Sequence, residues 1–192
     1  MDSFYLPIKY RLPMNYQEPT ILWTPIRFRQ QTPNACCANA IAACLEKRLE
    51  QKGYNVHLDE KAFENALRID QKKFEGGLST IKALKYLRNH GIESYKIKGF
   101  TITKPNDTSL IREMLYYDPL LASMNIYRVK KEDREEGFYK ISDIKVARHL
   151  VVIMGYEKGC FLILDSNCPK SLQRIKENDF STMVLKVYSL NL

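Results

Sequence analysis

The sequence predicts an α+β fold of two lobes, a helical lobe first and an antiparallel β-rich lobe second, sharing a cleft. Three observations carry this. Apolar residues recur with a helical period early in the chain, at Ala38, Ile41, Ala42, Leu45 and Leu49, and again at Ile81, Leu84 and Leu87. Later come apolar runs of strand length, Leu150 to Met154 and Phe161 to Leu164. The two patterns are segregated along the chain, unlike the alternation of a doubly wound sheet.

The elements follow in order. Pro7, Pro13, Pro19, Pro25 and Pro33 break any helix, so residues 1–24 form an extended arm and the chain up to 35 holds only short strands. A helix is expected over 36–51, with Glu46, Lys47, Arg48 and Glu50 covering its outer side and Gly53 ending it. Asp59 is placed to cap a second helix over 60–68. Gly76-Gly77 precede Ser79, a capping candidate for a helix over 80–90 that stops at Asn89-His90-Gly91. These helices make the first lobe, residues 25–92.

The second lobe spans 93–192. Tyr95 to Thr103 alternates as a strand, and Asn106-Asp107-Thr108 opens a short helix over 109–116. Leu120 to Val129 reads as a strand and Glu132 to Glu136 as a charged loop. His149 opens an apolar strand that a Gly155–Gly159 turn joins to Phe161–Leu164, and 183–188 make a last strand. Together the lobes are expected to form one domain over 1–192.

Composition excludes several classes. The chain has 192 residues, 45% hydrophobic and 27% charged, which argues against wholesale disorder. Its net charge of +8 is spread along the chain without a basic block, which speaks against a dedicated nucleic-acid partner. No run reaches the ~18 apolar residues of a membrane span, and no basic region followed by an apolar stretch opens the chain. An intracellular protein without a signal peptide or membrane contact is expected. The five cysteines (Cys36, Cys37, Cys44, Cys160 and Cys168) include an adjacent pair and an odd one, the pattern of a reducing compartment. No CxxC pair supports zinc, so neither a metal nor another cofactor is expected.

The residues that carry chemistry begin with Cys36, where a polar loop turns into a helix. Unpaired N–H groups and a positive dipole at a helix start favour thiolate over thiol. Gln30 stands six residues earlier and offers an amide donor. Of the three histidines, His57 falls in a polar linker and His90 in a helix stop, which leaves His149. In an antiparallel hairpin the first residue of one strand lies near the last of the other, so Asp165 can reach His149 and fix its tautomer. Taken singly, Cys36 reads as a packing cysteine, His149 as a strand-edge histidine and Asp165 as a turn former. The joint pattern points to nucleophilic catalysis.

With Gln30, Cys36, the Ala38-Asn39-Ala40-Ile41-Ala42-Ala43 run, Gly76-Gly77, His149-Leu150-Val151-Val152-Ile153-Met154-Gly155-Tyr156 and Leu164-Asp165-Ser166 in place, the chain resembles the papain family of cysteine proteases over residues 25–167. The resemblance implies a two-lobe papain-like fold and a cysteine endopeptidase without cofactor, acting on a polypeptide. Cys36, not Cys37, is then the nucleophile, His149 the base, Asp165 the orienting residue and Gln30 the oxyanion donor. Gly76, Gly77 and Leu150 would line the substrate. The compact length suits a bacterial or viral member, and no inhibitory propeptide is expected before the arm.

The chain also departs from the pattern. Asp165 stands where asparagine is usual, and Asn167 is a second candidate. Cys37 replaces a common tryptophan, and the tryptophan after Asn-Ser is missing. The Cys36–His149 stretch is shorter than the ~130 residues of the papain pattern. Two alternatives stay open: a double-glycine-leader type of cysteine peptidase, which Asp165 suits, and a silent papain-like binding module.

Overall fold

A computed structural model describes residues 20–29, 35–70, 78–128 and 137–192. The elements are β1 (Ile21–Leu22), α1 (Cys36–Gln51), α2 (Glu60–Asp70), α3 (Thr80–Asn89), β2 (Gly99–Thr103), α4 (Thr108–Tyr117), β3 (Leu120–Tyr127), β4 (Lys145–Glu157), β5 (Cys160–Leu164), β6 (Gln173–Lys176), α5 (Glu177–Met183) and β7 (Val184–Asn191). The strands form one antiparallel sheet in the order β2-β7-β3-β4-β5-β6, with β1 on β4 beyond the start of β3. The fold is α+β, as the sequence predicts.

The sheet separates two apolar cores. On one face α1, α2 and α3 bury Ile41, Leu45, Phe63 and Leu84 against Leu121, Leu150, Val152 and Tyr188. On the other, α4 and α5 bury Ile111, Leu115 and Phe180 against Ile153, Phe161 and Val187. Strands buried on both faces read as continuous apolar runs, which is why β4 and β5 show so little alternation.

Local chemistry explains the helix limits. α1 covers Cys36–Gln51 as expected, and Gly53 leaves it at φ +84°. Asp59 accepts from the Lys61 N–H at 2.8 Å, and Asp107 caps α4 by accepting from the Leu110 N–H at 3.1 Å. Ser79 holds the N-cap position of α3, but its side chain makes no capping bond.

One expectation about α1 is reversed. Glu46 and Arg48, read as solvent-facing, are buried, 1% and 8% exposed. Glu46 accepts from the Leu58 N–H at 2.7 Å and pairs with Arg29 and, at 3.3 Å, with Arg27. Arg29 also pairs with Glu60 of α2. The segment entering α1 is thus fastened to two helices by ions in the core. A buried charge needs such pairing to be tolerated, and removing one partner costs several kcal/mol.

Strand limits differ more from expectation. β2 starts at Gly99, not Tyr95, because its length is set by pairing with β7, from Gly99↔Asn191 to Thr103↔Val187. β7 accordingly runs on to Asn191. β4 begins at Lys145, so His149 lies inside the strand rather than opening it. The β4–β5 turn is the two residues Lys158 (φ +50°) and Gly159 (φ +74°), the left-handed pair a tight hairpin needs. Gly155 belongs to β4 instead. A Cβ there would sit 2.0 Å from the Ile21 carbonyl oxygen, so glycine is what lets β1 lie against the strand.

Candidate active site

α1 starts without a side-chain cap: Ala35 occupies the N-cap and no acidic residue stands in the first turn. Its leading N–H groups are therefore left for another acceptor. The half-buried Cys36 sulfur is one, taking hydrogen bonds from the backbone N–H groups of Cys37 and of Leu150 on β4. Its thiol is also hydrogen-bonded to the His149 side chain. Burial pushes the thiol pKa up, but the His149 hydrogen bond and charge, with the two backbone donors, bring it below its ordinary value.

Cys37, the next residue, is its opposite. It is 1% exposed, packs in the helix-side core and meets the Thr80 side chain. Burial and the neighbouring Cys36 charge push its pKa far up, so at neutral pH it stays a thiol.

His149 is 6% and Asp165 2% exposed. His149 Nε2 and Asp165 Oδ1 are 2.6 Å apart. With Nε2–H donated to the carboxylate, Nδ1 is the nitrogen left for the sulfur. Burial lowers the His149 pKa, yet the bonds and charges of Asp165 and Cys36 dominate and raise it to about 9. Burial likewise opposes ionisation of Asp165, and His149, Tyr139 and the Asn167 N–H outweigh it, so its pKa falls.

A β-bulge makes this contact. Near the turn the register is Tyr156↔Phe161, but past the irregularity between Ile153 and Gly155 it becomes Val152↔Leu164. Extending the second register sets Asp165 opposite Val151, on the face that carries His149. The first register, carried through, would set it opposite Val152, on the other face. One extra residue therefore decides which way Asp165 points.

Two further side chains hold Asp165, and sequence reading missed the first. Tyr139 donates its hydroxyl to Oδ2, and burial together with the Asp165 charge pushes its own pKa well up. Nothing in the local sequence marks Tyr139. It is placed by Gly137–Tyr139 bonding to Arg174: Tyr139 N–H to its carbonyl at 2.8 Å and its N–H to the Gly137 carbonyl at 2.7 Å. Asn167 donates its backbone N–H to Oδ1 at 2.7 Å, and its amide nitrogen lies 3.3 Å from His149 Nε2. Nε2–H has one proton, and Asp165 is the nearer and charged acceptor for it, with Asn167 flanking the ring.

A cleft of about 420 Å³ opens in front of Cys36 and His149, and Leu150 is among the residues that line it. His57 and His90 are exposed. Gln30, Gly76 and Gly77 lie outside the described residues. Among the described residues no helix is long and apolar enough to cross a membrane.

The architecture is the papain-like cysteine protease fold, with five helices and seven strands among the described residues. Xylellain, a cysteine protease from Xylella fastidiosa, is 13% identical with a TM-score of 0.80, over 98% of this chain and 90% of that one. The Amb a 11 cysteine protease, a ragweed pollen allergen in its proform, is 15% identical with a TM-score of 0.73, over 97% and 68%. Bromelain from Ananas comosus, in complex with the inhibitor E64, is 14% identical with a TM-score of 0.65, over 90% and 98%. No family model matches the chain, and no curated protein sequence matches it. At such identities the likeness is one of fold.

Proposed function

We propose that this chain is a cysteine peptidase that hydrolyses peptide bonds of a polypeptide through Cys36, His149 and Asp165. One observation carries the reading: an unbroken series of hydrogen bonds from the Cys36 thiol at the start of α1, through the His149 ring, to Asp165. The lowered Cys36 pKa and raised His149 pKa favour a thiolate–imidazolium pair near neutral pH.

The chemistry follows from that pair. The Cys36 thiolate adds to a peptide carbonyl carbon, forming the S–C bond and moving the π pair onto oxygen. The Gln30 side chain and the Cys36 N–H hold the oxyanion. His149 Nδ1–H passes its proton to the leaving nitrogen as the C–N bond breaks. Now neutral, His149 takes a proton from water, the hydroxide adds to the thioester, and Cys36 leaves as thiolate. Asp165 keeps the ring in the required tautomer throughout. Gly76 and Gly77 would let an extended substrate approach the backbone closely, with Leu150 beside it.

The test compares the adjacent cysteines. Cys36→Ala is expected to lose at least about a thousandfold in peptide turnover. Cys37→Ala should keep turnover within about tenfold and lose chiefly stability. Equal losses in the two variants would remove Cys36 from its role.

A further inference from the structure

The floor of the cleft is one face of the sheet, left bare where α1 begins. Pleating puts alternate residues on that face, and the register names them. Ser123 of β3 pairs with Leu150 of β4 and with Lys186 of β7, and Asn125 pairs with Arg148. Arg148 and Lys186 therefore point to the same side as Leu150, and both line the cleft with Cys36 and His149. A second irregularity, between Ser123 and Met124 against β7, adds Leu185 to the strand at this point. It is 38% exposed and lines the cleft next to Lys186.

Among the described residues, the charged side chains there are Arg148 and Lys186, both cationic, beside His149. Arg148 and Lys186 are exposed and pair with no carboxylate among the described residues. No Asp or Glu lines the cleft among the described residues. His149, with its raised pKa, adds charge at the mouth below pH ~9, which the Cys36 thiolate offsets only locally. Two cations without a carboxylate partner among the described residues, set over an apolar floor, focus a positive potential on whatever enters. Like-charge side chains are rejected there and a carboxylate is accepted.

We infer that the cleft selects acidic polypeptide, with an Asp or Glu within two residues of the bond cleaved, held by Arg148 and Lys186. This rests on the peptidase reading of the same site, so its test needs a readout that does not require turnover. Cys36 alkylation supplies one. Iodoacetate carries a carboxylate and iodoacetamide does not, and the ratio of their rates at Cys36 reports the potential in the cleft.

Two measurements belong together, on wild type and on the double variant R148E/K186E, with R148Q/K186Q as the milder control. In a mixed peptide library, wild type is expected to enrich Asp or Glu beside the cleaved bond. R148E/K186E should lose that enrichment and favour Lys or Arg. The iodoacetate-to-iodoacetamide ratio should fall by about tenfold in the charge reversal at low salt, and about threefold in R148Q/K186Q. Cleavage without acidic enrichment, or enrichment that survives the reversal, would overturn the inference. If no peptide is cut, the peptidase reading fails separately, and the ratio still decides: a fall on reversal supports an anion-selecting cleft, and an unchanged ratio refutes it.

Discussion

The two ends of α1 differ in what stands against them, and the difference shows where chemistry has room in this fold. Toward its C-terminus the helix is closed off by polar partners. Arg48 meets Asp118 at 3.0 Å, Gln51 donates to the Tyr117 carbonyl at 3.2 Å, and Cys44 is fully buried. Burial pushes the Cys44 thiol up to about 12. At the N-terminus the sheet extends past the helix, a cleft remains, and the Cys36 thiol is lowered instead. Both are cysteines of one helix. What separates them is the His149 ring within reach of one sulfur and an open cleft in front of it.

Substitutions can break that comparison. The largest effect is expected from Asp165→Ala, which leaves His149 without its orienting acceptor. Turnover should fall by about a thousandfold or more, as in catalytic triads deprived of their acid, and a rate within tenfold of wild type would contradict the proposed role. Glu46→Ala comes next. It strips the partner from the buried Arg29 and is expected to destabilise the protein by about 3–5 kcal/mol in denaturant titration. A loss below about 1 kcal/mol would mean that the ionic anchor contributes little to the closed end.

Tyr139→Phe should act on the open end alone. Losing one hydrogen bond to a carboxylate costs about 1.5–3 kcal/mol, so kcat is expected to fall about ten- to a hundredfold with little change in KM. Asp165→Asn, which puts an amide where the carboxylate stood, should shrink the Tyr139→Phe effect. Equal effects in both backgrounds would show that Tyr139 acts through packing.

The smallest effect is in the pH profile. His149 has its pKa raised to about 9 from 6.5, so what its charge adds to stability is fully present below pH ~6.5 and lost as pH rises through about 9. Cys36 works in the opposite sense. Its lowered pKa adds stability above its ordinary value of 9.0 that is lost as pH falls through the folded one. Hydrolysis needs thiolate and imidazolium together, so it should decline on the alkaline side near pH 9.

The closed end was the more legible in sequence. Ile41, Ala42 and Leu45 recur at helical spacing, and Asp59 and Asp107 announce helix starts, because these signals are local. Cys36, His149 and Asp165 were found by motif, and the structure brings them together. Much of the rest depends on distant partners. The start of β2 is fixed by β7, nearly the whole second half away. The β4–β5 bulge that turns Asp165 toward His149 leaves no mark in an apolar run. α5 and β6 lie in a stretch whose pattern suggests neither. Glu46 and Arg48 look like a solvent face until Arg29 and Asp118 are seen beside them, since pairing across the core decides whether a charge can be buried.

One measurement tests the central claim most directly: the pH dependence of alkylation at Cys36 and Cys168, followed residue by residue in one sample by mass spectrometry. Both cysteines are partly exposed, and burial with the Asp165 charge raises the pKa of Cys168. Cys36 should therefore react with a midpoint well below that of Cys168, and His149→Ala should move the Cys36 midpoint up while leaving Cys168 in place. A Cys36 midpoint at or above the ordinary thiol value in wild type, or one that His149→Ala does not move, would contradict the thiolate–imidazolium pair.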